Sequence, residues 1–217
     1  MEEENKIFAK DYSIYKYFWI FILGCFIGYI YESILCFFQV GYIENKQGLL
    51  YGPFAPVYGF GAVLYMFAFR KIKKLPLIFL LSSLIGGFFE FIYSFIQEMF
   101  LGTISWDYSD FLINFDGRTS VFHAIFWGII GVIFFKWIYP FISKLIEKIP
   151  IKLGKLLSYI LCIFMILNFS ISISASFRQY LRLNNIPAKN NFEIFLDKYY
   201  TNELLDKHYP CHKRRIK

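Results

Sequence analysis

Leu49-Leu50-Tyr51-Gly52-Pro53-Phe54-Ala55-Pro56-Val57-Tyr58-Gly59-Phe60-Gly61 sets three glycines and two prolines between two long apolar runs. Proline fixes φ and offers no N–H, and glycine accepts backbone shapes that other residues resist. In a segment this apolar, such punctuation predicts irregular backbone at a membrane edge rather than a plain spanning helix. Irregular backbone is tolerated at that depth only where protein buries it or where it lines a cavity. The stretch therefore reads as part of a built site.

The composition around it is that of a membrane protein. Of 217 residues, 57% are hydrophobic, 23% aromatic and 18% charged, well outside the soluble mix. A spanning helix needs roughly 20 apolar residues. On that basis the chain is all-α and polytopic, with about five spans at residues 14–38, 56–69, 76–100, 119–139 and 156–177. Residues 1–13 form a short polar tail and 178–217 a longer one, in which Phe192, Phe195, Leu196 and Tyr199 could line a surface helix. The second span is short, as expected of a broken or re-entrant element. Met1-Glu2-Glu3-Glu4 is acidic and no small-x-small site follows the first apolar run, so that run reads as an anchor rather than a cleavable leader. Usage heavy in Phe, Ile, Lys and Asn suggests a bacterial cell membrane protein from an AT-rich genome.

The net charge of +7 is better explained by membrane topology than by nucleic acid. Arg70, Lys71, Lys73 and Lys74 follow the second span, and Lys144, Lys148, Lys152 and Lys155 lie between the fourth and fifth. The positive-inside rule places these loops and the N-terminus in the cytoplasm. Five spans then put the C-terminus outside, although nine basic residues in that tail argue the other way. Residues 140–155 read as a basic amphipathic segment at the interface. Cys25, Cys36 and Cys162 fall in apolar runs and read as packing residues. His208, Cys211 and His212 are metal-donor types without a completing cluster, so neither metal nor cofactor is expected.

Four of the spans carry a polar line at i, i+4 spacing, which places its members on one helix face. The first holds Gly24, Gly28, Glu32 and Cys36, where the Gly pair allows close approach of another backbone. The third holds Ser82, Gly86, Glu90, Ser94 and Glu98, the fourth Thr119, His123, Trp127 and Gly131, and the fifth Asn168, Ser172 and Ser176. A carboxylate at mid-membrane costs about 2.5–3.5 kcal/mol on insertion scales, so Glu32 and Glu90 need partners. Arg118 is placed to pair with Glu98 or with a carboxylate of another helix. In the inferred orientation these groups gather in the outer half of the membrane, beside the Gly/Pro stretch and Ser105-Trp106-Asp107-Tyr108-Ser109. The candidate substrate-binding residues are Glu32, Tyr51, Gly52, Pro53, Tyr58, Glu90, Trp106, Asp107, Tyr108, Arg118 and His123. The plainer alternative is a polar core that fixes helix register, with aromatics at the interface.

Leu50-Tyr51-Gly52-Pro53-Phe54, Pro56-Val57-Tyr58-Gly59-Phe60-Gly61, Trp106-Asp107-Tyr108-Ser109, Asn114, Gly117-Arg118 and Trp127-Gly128, in this order, resemble the CmpB-type ABC-transporter permease family (type IV). The resemblance covers about residues 15–140, and Glu32 and Glu90 match glutamates of that family. The chain departs from it at Asn45-Lys46-Gln47-Gly48, where an Asn-Arg-Gly is usual. It departs again at Ser105-Trp106, where a doubled Trp is usual, and at Thr119-Ser120, where Ile-Cys is usual.

The resemblance implies a membrane transport subunit served by a separate ATPase, since the chain has no G-x-x-x-x-G-K-[ST] phosphate loop. Segment 141–149 could dock that ATPase from the cytoplasm. A polar cavity walled by Glu32 and Glu90 would bind the solute, and so few spans suggest a homo-oligomer. The alternative is an intramembrane enzyme acting on a lipid or lipid-linked substrate, with Glu90 and His123 as acid and base and Arg118 on a phosphate. A third reading is a non-catalytic assembly protein using the C-terminal tail.

Overall fold

Ser13 opens the first helix, its hydroxyl accepting the Lys16 N–H, and α1 (Ile14–Val40) ends at Gly41, whose left-handed backbone (φ 81°) returns an N–H to the Phe37 carbonyl. The computed structural model describes residues 7–214. Pro56 starts α2 (Pro56–Phe69), where its missing N–H costs no helical hydrogen bond. Helix α3 (Leu75–Leu101) stops at Gly102 in the same left-handed form as α1. A strand pair, β2 (Asn114–Phe115) and β3 (Thr119–Ser120), then leads into α4 (Val121–Ile133).

Helix α4 does not end where the apolar run does. One π-helical turn, Phe134–Ile138, joins it to α5 (Tyr139–Glu147), so span and amphipathic segment form one continuous rod. Pro140 explains the wide turn, because it has no N–H to complete the regular ladder at that point. The interfacial segment expected at 140–155 is therefore the end of the fourth span, a break at 148–150, and the start of α6 (Ile151–Leu183). Helix α6 runs on past residue 177, so Arg178 lies inside it rather than at its end.

Four of these helical stretches are long and apolar enough to cross a membrane, and α2 is a shorter apolar helix beside them. The chain is a multi-pass, nearly all-helical membrane protein. The helices pair as two hairpins, α1 with α2 and α3 with α4. Small residues set both crossings. A Cβ on Gly24 would lie 3.1 Å from the Gly59 Cα, and one on Gly28 would collide with the Tyr58 ring. In the second hairpin Gly128 faces Ser83, and Gly131 faces Ser82. Tyr65, Met66, Phe69 and Ile20 meet Trp127, Phe134 and Ile142 in the core, while Leu84, Phe88, Ile125 and Ile163 point outward, as lipid-facing residues should.

The basic loops share one end. Lys16, fully buried, pairs with Glu147 at 2.6 Å and donates to the Ser143 hydroxyl, Tyr12 donates to the Arg70 carbonyl, and the Phe8 ring packs on Gly154. The C-terminal segment lies at the opposite end. There α7 (Asn191–Tyr199) and α8 (Asn202–His208) follow α6, and β4 (Lys213–Arg214) pairs antiparallel with β1 (Thr103–Ile104). The tail thus folds onto the face that carries loops 41–55 and 102–120. Residues 1–6 and 215–217, including the acidic Met1-Glu2-Glu3-Glu4, lie outside the described residues.

Candidate functional site

The polar face of α6 holds the Gly/Pro stretch. Asn168 accepts the Tyr51 N–H at 3.2 Å and donates to the Tyr51 carbonyl at 2.6 Å, and Ser172 accepts the Leu50 N–H at 2.9 Å. The Ala55 N–H donates to the Cys25 carbonyl of α1 at 2.9 Å. These are the partners that irregular backbone needs once water is excluded. Gly52 takes φ 79°, a conformation that a side chain would strain, and the Tyr51 hydroxyl meets that of Tyr200 at 2.7 Å.

From the start of α2, the Tyr58 hydroxyl donates to Glu32 on α1, the contact that Gly28 makes room for. Glu90 on α3 is buried and accepts from the Tyr108 hydroxyl at 3.0 Å and from Thr119 at 2.8 Å. Tyr108 lies flat on the His123 ring, centroids 3.6 Å apart, and the Ser120 hydroxyl reaches His123 Nδ1 at 2.8 Å. Burial, with Glu90 beside it, raises the Tyr108 hydroxyl far above its ordinary range, so it stays a donor. Tyr108 therefore stands between Glu90 and His123, holding one by a hydrogen bond and the other by its face.

Arg118 is buried and spoken for. Its guanidinium pairs with Glu98 and, at 2.9 Å, with Asp116, and it lies over the Phe95 ring at 5.4 Å. The pairing with Glu98 matches the depth read from the sequence. Trp106 donates to the Arg118 carbonyl at 2.8 Å and stacks on Tyr93. Asp107 is exposed and accepts from the Ser109 N–H and hydroxyl at 3.0 and 2.5 Å, an arrangement that shapes the loop against Gly117.

Below the C-terminal segment lies a cavity of about 540 Å³. Glu32, Tyr58, Trp106 and Tyr108 line it, together with Tyr93 and Gln97 of α3, Ser172 and Ser176 of α6, and Asn45 and Lys46 of the first loop. Tyr209, Cys211 and His212 cover it. Of the sequence candidates, Tyr51, Gly52, Pro53, Glu90, Asp107, Arg118 and His123 are not among the lining residues. Tyr51, Asp107 and Arg118 shape or brace the surrounding loops, and Glu90 sits one residue back, behind Tyr108. Gln97 was missed, yet it falls at i+7 from Glu90 and i+3 from Ser94, on the polar face itself. It accepts from the Ser105 hydroxyl at 3.0 Å.

The cover is tied by polar contacts distant in sequence. Asn45 donates to the His208 carbonyl at 2.9 Å, His208 Nε2 lies 3.1 Å from the Leu49 carbonyl, and Lys46 reaches Cys211 Sγ at 2.8 Å and Glu44 at 3.2 Å. The Lys46 ammonium holds the Glu44 carboxyl below the usual carboxylate range. Burial raises the Cys211 thiol, so the sulfur stays protonated, and burial pushes His212 down to about 4. Among the described residues no group of three donors could hold a metal, so His208, Cys211 and His212 do not form one. Farther out, Arg178 forks onto Asp197 at 2.8 and 2.9 Å, and Arg182 joins at 2.7 Å, which fastens α7 to α6.

No curated protein and no solved structure matches the chain. One family matches, over residues 19–173, which takes in both hairpins, both irregular loops and the part of α6 that carries Asn168 and Ser172. The chain belongs to this family, described as putative ABC-transporter type IV.

Proposed function

We propose that the chain is a permease-like subunit of an ABC-type transporter in a bacterial cell membrane, and that the cavity beneath the C-terminal segment binds the transported solute. The observation that carries this reading is the cavity itself, about 540 Å³ and walled by α1, α2, α3 and α6 together with the loops at that end of the bundle. This volume falls in the range of small-molecule sites, roughly 300–1,000 Å³. Glu32 lines it, with aromatic side chains and polar groups from the loops.

Transport against a gradient needs an energy source that this chain does not encode, so a separate ATPase is the expected partner. Helix α5 offers it a surface at the basic end. Ile142 and Ile146 face inward there, while Phe141, Lys144 and Leu145 are exposed. A second copy of the chain would complete a pathway that so few spans cannot form alone.

The test compares the solutes of cells lacking the protein with those of cells carrying it. Glu32→Gln should abolish the difference while the protein remains at its normal level. Full retention of the difference in both Glu32→Gln and Glu90→Gln would remove the cavity from the transport reading.

A further inference from the structure

The cavity is partly roofed above and open at the side. Tyr209 and Leu49, 4% and 2% exposed, roof the end that would face water, beside the half-buried Asn45, Lys46 and Gln47 and the exposed Gly48. Phe60, Ile96, Phe100 and Ile173 also line the cavity, yet they are 44–54% exposed. They come from α2, α3 and α6 and form an apolar window. Phe60 and Ile96 lie four and five residues inside their helix ends, about 6–8 Å at 1.5 Å per residue. That depth faces acyl chains rather than water.

The charge inside is one-sided. Glu32 accepts from the neutral Tyr58 hydroxyl, and among the described residues no ion pair to it is found. Lys46, the cation of the lining, is taken by Glu44 and Cys211, and Arg118 is held outside by Glu98 and Asp116. Glu90 adds a second acidic group behind Tyr108. Tyr58, Tyr93, Trp106 and Tyr108 supply aromatic surface of the kind that attracts cations. The Tyr209 hydroxyl is buried at the cavity with Ser172 as its polar neighbour.

We infer that the cavity takes a membrane-resident amphiphile with a cationic amine head and an alkyl chain, admitted sideways through the Phe60–Ile96–Phe100–Ile173 window. This rests on the reading of the cavity as the solute site and names the class of solute. The amine sits toward Glu32 among the aromatic rings, and the chain leaves through the window into the bilayer. Neither end of such a molecule needs to cross the covered face.

The test uses the full chain in phosphatidylcholine nanodiscs with three photoreactive probes. These are hexadecylamine with a mid-chain diazirine, the carboxylate of the same chain, and a short water-soluble diazirine amine. Adducts are mapped by mass spectrometry. Hexadecylamine should label Phe60, Phe100 and Ile173 at least tenfold more than the carboxylate does, and Glu32→Gln should remove that preference. Ile96→Trp, which narrows the window and leaves the charge alone, should lower long-chain labelling. Equal labelling by amine and carboxylate on the unaltered chain would overturn the cationic head, even if Glu32→Gln failed to fold. Labelling of Tyr58 or Trp106 by the short amine but not by hexadecylamine would overturn lateral access and leave the solute site standing. Absence of cavity adducts from all three probes would overturn both.

Discussion

The Asn168 side-chain amide spans the backbone of Tyr51, accepting from its N–H and donating to its carbonyl. One residue of a spanning helix thereby satisfies both polar groups of a loop residue far away in sequence. Asn168→Leu keeps the branched outline of the side chain and leaves both groups orphaned, at about 1–3 kcal/mol each. We expect a loss of about 2–6 kcal/mol, or roughly 4–24 °C in melting temperature at this chain length. Thermal unfolding in mild detergent measures it.

The α1–α2 crossing depends on Gly59, where a Cβ would lie 2.7 Å from the Phe21 carbonyl and also strike the Cys25 sulfur. Gly59→Val should part the hairpin and sharply reduce folded protein. Gly61→Ala, two residues on and on the opposite side of the helix, would meet only the Phe89 ring at 3.9 Å and should leave melting unchanged. The pair of variants, compared by size-exclusion profile, separates close approach from a general intolerance of substitution in α2.

Tyr108 and Thr119 donate to the two oxygens of one carboxylate, Glu90. Tyr108→Phe and Thr119→Val should each destabilise by about 1–3 kcal/mol. The double variant should differ from the sum, because both act on the same acceptor. Additive effects in a double-mutant cycle would mean that Glu90 is held by other groups.

The cover over the cavity should loosen in mild acid. Burial depresses His212 to about 4 from an ordinary value near 6.5. The unfolded segment takes up a proton before the folded one, so the stability present above pH 6.5 is lost as pH falls toward 4. Asp197, depressed mainly by Arg178, loses its contribution only below the ordinary carboxylate range, so α7 should stay docked throughout that window. Hydrogen exchange should show protection around residues 209–212 falling between pH 6.5 and 4, ahead of α7. His212→Gln should flatten that fall.

The helices that could be read from the sequence were those with local punctuation. Pro56 and Arg70 bracket α2, and Ser13 and Gly41 bracket α1, so both follow from the chain near them. The Arg118–Glu98 pair followed from depth along two helices. Arg178 misled, because a charge after an apolar run resembles an end. Its partner Asp197 lies across a turn with no periodic signal to announce it. The cavity cover has the same character. Asn45, Lys46, His208 and Cys211 meet as isolated polar residues from two loops, and nothing in the spacing of either loop points to the other. Tyr51 and Arg118, also read as substrate-binding residues, are held by Asn168, Tyr200, Glu98 and Asp116, partners that no single helix face announces.

The most direct test of the permease reading is purification of the tagged protein in mild detergent, with mass spectrometry of the stoichiometric partners. We expect an ATPase in fixed ratio, lost on replacing the exposed α5 residues Phe141, Lys144 and Leu145 while Ile142 and Ile146 are kept. A homogeneous assembly of this chain alone, carrying no ATPase, would contradict the account.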